Sequence, residues 1–252
     1  MDIYAFPPVA AILDAAYSGL LLLTDLLEPL AGEAAAAASV ILLTLLVRAA
    51  LVPAGVAQAK AEQNRSRLAP RLRELQRRHA RDRERLQRET MKLYADEGVS
   101  PFAGCLPMLA QAPVLGVVYA LFAFAAIAGH PNALLAQDLA GVPLGTGFAV
   151  AVAGGTASAA TFAVFGVLIA VIVITAEITR RRFRPAPGAD ASPVADASPL
   201  AGATGRLVGA LQFTTAVVAL FVPLAAALYL ATTVVWTLLQ RLILRRRYPL
   251  AT

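Results

Sequence analysis

A chain of 252 residues is long enough for one or two soluble domains, but 58% of it is hydrophobic and only 15% charged, more apolar surface than a soluble core can use. The formal net charge of +6 is distributed unlike a nucleic-acid-binding surface: no Lys or Arg precedes Arg48, whereas residues 58–98 hold twelve. A single cysteine, Cys105, excludes an internal disulfide, and two histidines supply no clustered metal-ligand pattern.

The apolar residues fall in blocks of about 16 to 30, long enough to cross a hydrocarbon layer at ~1.5 Å per helical residue. Residues 1–33 mix apolar runs with Asp14, Asp25 and Glu28, bracketed by Pro7, Pro8 and Pro29. Acids at that frequency predict an interfacial helix on the outer face rather than a clean span. The first span is expected at 34–57, an Ala/Val/Leu run containing Thr44 and Arg48 and interrupted by Pro53.

Residues 58–98 are strongly charged, with Leu68, Leu72 and Leu75, then Leu86, Leu93 and Tyr94, at three- and four-residue spacings. This predicts a cytoplasmic hairpin of two amphipathic helices broken near His79–Asp82, with Pro70 starting or kinking the first. Its bases read equally as a solvated face beside acidic headgroups or as a docking surface for a ribosome or targeting factor.

A second span is predicted within 99–128, with Pro101 at its start and Pro107 and Pro113 inside, and an outer loop over 129–156 carries His130, Asp138 and Pro143. The third span, 157–179, stops at Arg180–Arg182. Residues 180–206 are rich in Pro, Ala, Gly, Asp and Ser and read as a flexible cytoplasmic loop. Two last spans, 207–222 and 223–243, meet at Pro223, and 244–252 forms a basic tail. The fold class expected is an all-α polytopic membrane protein with five transmembrane helices. Under the positive-inside rule the basic stretches stay cytoplasmic and the acidic or neutral ones face out, which puts the N-terminus outside and the C-terminus inside a bacterial cytoplasmic membrane. No basic n-region precedes the first apolar stretch, so a cleaved signal peptide is not expected.

Arg48 is the most informative residue. Ala49–Ala57 separate it from Gln58, which places its Cα about 13 Å inside the apolar zone. A central membrane arginine costs ~2.5 kcal/mol or more, so it should face a protein interior or a wet cavity; the plain alternative is a structural snorkeller. Thr44 shares its helical face. Gln111 in the second span, and Thr232, Thr233 and Gln240 in the fifth, read singly as interhelical hydrogen-bonding residues; with an unpaired arginine they suggest a hydrated groove. Glu177 is closer to Arg180 than to the depth of Arg48 and is expected to pair locally. There is no phosphate loop, no pair of intramembrane acids for proton relay and no HExxH or Ser/His/Asp set at membrane depth, so no cofactor, metal or catalytic residue is expected. Tyr119, Tyr229 and Trp236 read as packing or interfacial residues.

The segment Leu68–Phe122, LAPRLRELQRRHARDRERLQRETMKLYADEGVSPFAGCLPMLAQAPVLGVVYALF, resembles the YidC-type insertases of the Oxa/Alb superfamily. The matching features are Pro70 opening a charged hairpin, Met91-Lys92-Leu93-Tyr94, and the Pro101–Pro113 signature with GCLP and Gln111. LLTLLVRAALVP (Leu42–Pro53) is similar to that family's first core span with its groove arginine at Arg48, and VPLAAALYLATTVVWTLLQRLI to its last span, with Tyr229 and Gln240 in matching places. The sequence departs where the third span lacks a Gln-rich cytoplasmic end and where Pro223-Leu224-Ala225-Ala226 replaces a Pro-x-Gly-Leu turn; with the Ala and Arg excess, this fits a diverged, actinobacterial-type paralogue.

The resemblance implies an insertase core of five helices around a groove open to cytoplasm and lipid and closed outside, with Arg48, Thr44, Gln111, Tyr229, Thr233 and Gln240 facing the client. It implies nascent membrane-protein clients and the lipid bilayer as partners, with ribosome, targeting factor and Sec translocon as further candidates and no specific nucleic-acid target. Such a chain is a catalyst of partitioning rather than an enzyme. A small anion channel or transporter using Arg48 is the competing reading; it leaves the charged hairpin and GCLP unexplained.

Overall fold

The structure, a computed structural model, describes residues 7–100, 106–127, 129–183 and 213–249. These are mostly helical. They divide into two compact units: Met1–Ala50, Ala112–Ile178 and Gln212–Thr237 in the first, Leu51–Gln111, Thr179–Leu211 and Leu238–Thr252 in the second.

Helix α1 (Pro7–Ala31) begins on two prolines, whose missing N–H groups cost nothing in a first turn. A 3-10 turn, Gly32–Ala34, leads to α2 (Ala35–Ala50). Gly32, at φ +54°, adopts the left-handed conformation that reverses the chain and that a side chain resists. The reversal brings Thr24 back to Ser39: the Thr24 hydroxyl is shared between Ser39 Oγ (2.9 Å) and the Leu20 carbonyl (3.0 Å), and Ser39 donates to the Ala36 carbonyl (2.7 Å). Buried Ala35, Ala36 and Ala37 permit the close approach of the two helices.

The remainder of the first unit closes over this pair. Helix α5 (Leu106–Ala123) ends against a loop holding two short hairpins, β1 (Ala126–Ile127) with β2 (His130–Pro131) and β3 (Asp138–Leu139) with β4 (Val142–Pro143). Asn132 Nδ2 donates to the Leu121 carbonyl (2.8 Å) and the Phe124 carbonyl (3.0 Å), supplying donors that the helix end lacks. Its Oδ1 is buried without a partner among the described residues. The Tyr17 hydroxyl of α1 accepts from Ala133 N–H (2.7 Å) and donates to the Pro131 carbonyl (3.4 Å). After α6 (Phe148–Ala153) and α7 (Ala159–Arg182) come α8 (Thr214–Ala219) and α9 (Leu224–Arg247). The turn before α9 is stitched to the loop: Leu224 N–H donates to the Thr146 carbonyl, Ala225 N–H to that of Leu144, and Ala149 N–H to that of Leu220, each at 2.9 Å. Phe122, Leu134, Leu144, Phe165, Ile172 and Leu224 fill the core.

In the second unit α3 (Val52–Arg78) and α4 (Arg83–Asp96) are joined by His79–Asp82. Asp82 caps α4 by accepting from Arg85 N–H (2.9 Å). Glu97, just past α4, pairs with Arg71 and with Arg67 (3.6 Å) of α3. The described break lies at Leu51, upstream of the span end expected at residue 57: Pro53 cannot donate within a continuous helix but sits without cost in a first turn, so residues 52–57 become the start of α3. Pro70 lies inside α3 and does not open it. The loop expected over 129–156 carries β2, β3, β4 and α6, while β1 precedes it; of 207–222, the described part includes α8, and 207–212 lie outside the described residues, as do Pro101 and Cys105.

Three stretches among the described residues are long and apolar enough to cross a bilayer: Pro7–Ala50, Ala159–Arg182 and Leu224–Arg247. Large apolar side chains on them point away from the protein, including Leu26 (69% exposed), Val167 (68%) and Ile243 (66%). Apolar exposure on that scale is what a hydrocarbon solvent supports. Asn132→Leu should lower stability by about 1–3 kcal/mol, because the α5 carbonyls lose buried donors. Thermal unfolding of the purified protein in detergent should register the loss, and Asn132→Asp, which turns an acceptor toward those carbonyls, should be no better.

Candidate functional site

Arg48 lies in the last turn of α2, half-buried. No carboxylate among the described residues stands within ion-pairing distance of it, Glu177 included. Thr44, one turn earlier, is 1% exposed, and its hydroxyl donates to the Val40 carbonyl of its own helix (2.7 Å). Its one donor is therefore spent locally, which distinguishes it from the arginine.

Helix α9 supplies the other described residues of the first unit. Tyr229, 5% exposed, packs on Phe122 with ring centroids 6.0 Å apart and planes at 45°. Thr232 donates to the Leu228 carbonyl (2.8 Å) and Thr237 to the Thr233 carbonyl (2.8 Å), the usual disposal of a threonine hydroxyl within an apolar helix. Thr233 differs. Its Oγ1 is buried and has no hydrogen-bond partner among the described residues, and a buried hydroxyl left in that state costs about 1–3 kcal/mol. No hydrogen bond joins Arg48, Thr44, Tyr229 and Thr233 to one another among the described residues.

Gln240 belongs to the second unit, where its amide lies against the α3 backbone at Gly55: a Cβ there would stand 1.8 Å from Gln240 Nε2. Gly55 is thus the gap that the glutamine fills. Gln111 is in α5, and its side chain lies outside the described residues. A cleft of about 350 Å³ between α3 and α4 is lined by Arg71, Glu74, Leu75, Arg78, Glu89, Lys92, Leu93 and Asp96, none of them among the six groove residues. Among the described residues no group of His, Cys, Asp and Glu could hold a metal.

Sequence reasoning did not single out Tyr17 and Asn132, which seat α1 and the end of α5 on the loop, or Phe183, whose ring lies under two arginines. Tyr17 and Ala133 are 116 positions apart, and no periodicity reports a contact of that range. A Pro-Asn pair after a positive-φ glycine, Gly129, was the one local sign of a structured turn.

The two threonines give opposite expectations. Thr233→Val removes an unmet hydroxyl at nearly constant shape and should raise stability by up to about 1–3 kcal/mol, whereas Thr232→Val removes a satisfied one and should lower it by about 0.5–1.5 kcal/mol. Paired thermal melts in detergent check both; equal effects would mean that the two hydroxyls are in equivalent surroundings.

Residues 27–251 match the sequence profile of the family described as 60Kd inner membrane protein. The chain is 39% identical over 84 residues to the membrane protein insertase YidC of Clostridium perfringens (strain 13 / Type A), covering 33% of this chain and 35% of that protein. It is 44% identical over 89 residues to the membrane protein insertase YidC of Mycobacterium leprae (strain TN), covering 35% and 23%. With the inner membrane protein ALBINO3, chloroplastic, of Arabidopsis thaliana it shares 43% identity over 84 residues, 33% and 18% of the two chains. The matched stretch thus spans about a third or less of these relatives' own length. The family profile, by contrast, runs over most of this chain, which belongs to the 60Kd inner membrane protein family.

Proposed function

We propose that this chain is a membrane protein insertase that assists hydrophobic segments of newly made proteins into the bilayer of a bacterial cell. The observation that carries the reading is Arg48, a half-buried guanidinium in an apolar helix with no carboxylate partner among the described residues. Kept unpaired beside hydrocarbon, such a charge is costly, and a structure that retains it gains an attraction for a passing anion. The insertase names of relatives at 39% and 44% identity support the same reading; nothing in those names supports an anion channel.

On this reading Arg48 draws acidic residues of a client's short outer tail partway across, lowering the cost of moving charge. The buried hydroxyl of Thr233 meets a client carbonyl or water only when α9 repacks around the client, and Tyr229, buried against Phe122, keeps that helix firm. Exit of the client helix into lipid supplies the driving force, at ~0.8 kcal/mol per buried CH2 group. No nucleotide step is required. The five-span arrangement, the cytoplasmic setting of the α3–α4 hairpin and the docking there of a ribosome, targeting factor or Sec translocon belong to the same proposal.

In proteoliposomes holding only this chain, a single-span test protein with an acidic outer tail should insert, and Arg48→Glu should impair it at least about tenfold more than a neutral-tailed client, since attraction becomes repulsion. Arg48→Lys should be milder. Equal loss for both clients at normal protein levels would assign Arg48 to the fold. Anion flux without insertion would replace the reading with the channel.

Orientation has its own test. In a Cys105→Ser background, single cysteines at positions 2 and 138 should react with an impermeant thiol reagent added outside intact cells, and those at 80 and 252 should react only after lysis. Labelling of position 80 from outside would reverse the arrangement.

A further inference from the structure

The C-terminal turns of α7 and α9 converge in the second unit on one aromatic ring. Phe183, 8% exposed, has the Arg245 guanidinium 4.4 Å and the Arg241 guanidinium 5.9 Å from its centroid. Arg245 also pairs with Glu62 of α3 at 3.0 Å, and its Nε is buried without a partner among the described residues. Lys60 stands 5.8 Å from the Tyr248 ring centroid, and Gln63 Nε2 donates to the Pro249 carbonyl (2.9 Å), which holds the end of the described chain against α3. The carboxylate of Glu62 is thereby engaged. Arg182, Arg246 and Arg247 remain exposed, with no carboxylate at ion-pairing distance among the described residues. One turn inward on α9, Leu239 and Ile243 turn outward, 52% and 66% exposed.

We propose that this collar binds an anionic phospholipid through its phosphodiester headgroup. The charge is complementary: Arg182, Arg246 and Arg247 offer planar forks that meet phosphate oxygens bidentately. Phe183 acts as a positioning residue, since cation–π contact fixes Arg241 and Arg245 on its face and holds the two helix ends together. Depth selects the source of the phosphate. Both helices are apolar enough to cross a bilayer and both end in these arginines, so the anions at that level are headgroups. Leu239 and Ile243, a turn below, present an apolar wall that acyl chains cover and that RNA or free phosphate would leave wet. The site uses none of the groove residues and does not require the chain to be an insertase.

The full chain in nanodiscs of phosphatidylcholine and phosphatidylglycerol in equal amounts, released into the gas phase for native mass spectrometry, should retain phosphatidylglycerol in preference. That comparison needs no variant. Arg182→Gln, Arg246→Gln and Arg247→Gln should each reduce the preference about fivefold. Phe183→Ala should weaken it and Phe183→Trp restore it, a rescue that a filler of space alone would not distinguish by headgroup. Equal retention of the two lipids by the unaltered chain, or an undiminished preference in the triple Gln variant, would overturn the proposal. So would displacement of the lipid by inorganic phosphate, or tighter capture of an RNA oligonucleotide by detergent-solubilised protein than of phosphatidylglycerol.

Discussion

In hydrocarbon there is no water to complete an unpaired polar group, and the described helices are organised by that constraint. Several polar side chains of the first unit are closed onto a carbonyl: Thr24, Ser39 and Thr44 on the α1–α2 pair, Thr232 and Thr237 on α9, Asn132 at the end of α5. Against that background the exceptions carry meaning. The guanidinium of Arg48 meets no carboxylate among the described residues, and the Thr233 hydroxyl and Asn132 Oδ1 are buried with no hydrogen-bond partner among them.

The same constraint explains the loop between α5 and α7. A loop crossing polar backbone over an apolar core must bond every group it buries. Here the Ala140–Gly141 turn, both residues at positive φ, closes β3 on β4, and the segment 144–149 exchanges backbone bonds with 220–225. Tyr17 ties α1 to the loop with its phenol. The result is a cap in which Leu134, Leu144, Leu224 and Ala225 are fully buried. In the second unit, exposed ion pairs of small individual worth stand on the helices, Glu97 with Arg67 and the i,i+4 pairs Glu74–Arg78 in α3 and Glu84–Arg88 in α4.

Composition, block length and the Lys/Arg asymmetry were enough to read a mostly helical membrane protein, and the segment Leu68–Phe122 was enough to reach its family, because lipid imposes a pattern that persists without any contact map. Arg48 was legible for the same reason: a base inside an apolar run is anomalous on its face. Three details needed the folded chain. Thr232 and Thr233 are neighbours of one residue type, and only the surroundings of α9 decide that one hydroxyl is satisfied and the other not. Asn132 and Phe183 are ordinary residues in the sequence; the first becomes a helix cap through the way the chain turns back after α5, the second an arginine platform through contact with a segment far along the chain. Pro53 announced a break but not its position, since the geometry at Leu51 is set by where the next helix can start without a lost hydrogen bond. The solvent for each helix was thus determined by local composition, while partners for its polar atoms were decided by tertiary structure, because composition is additive along the chain and hydrogen bonding is not.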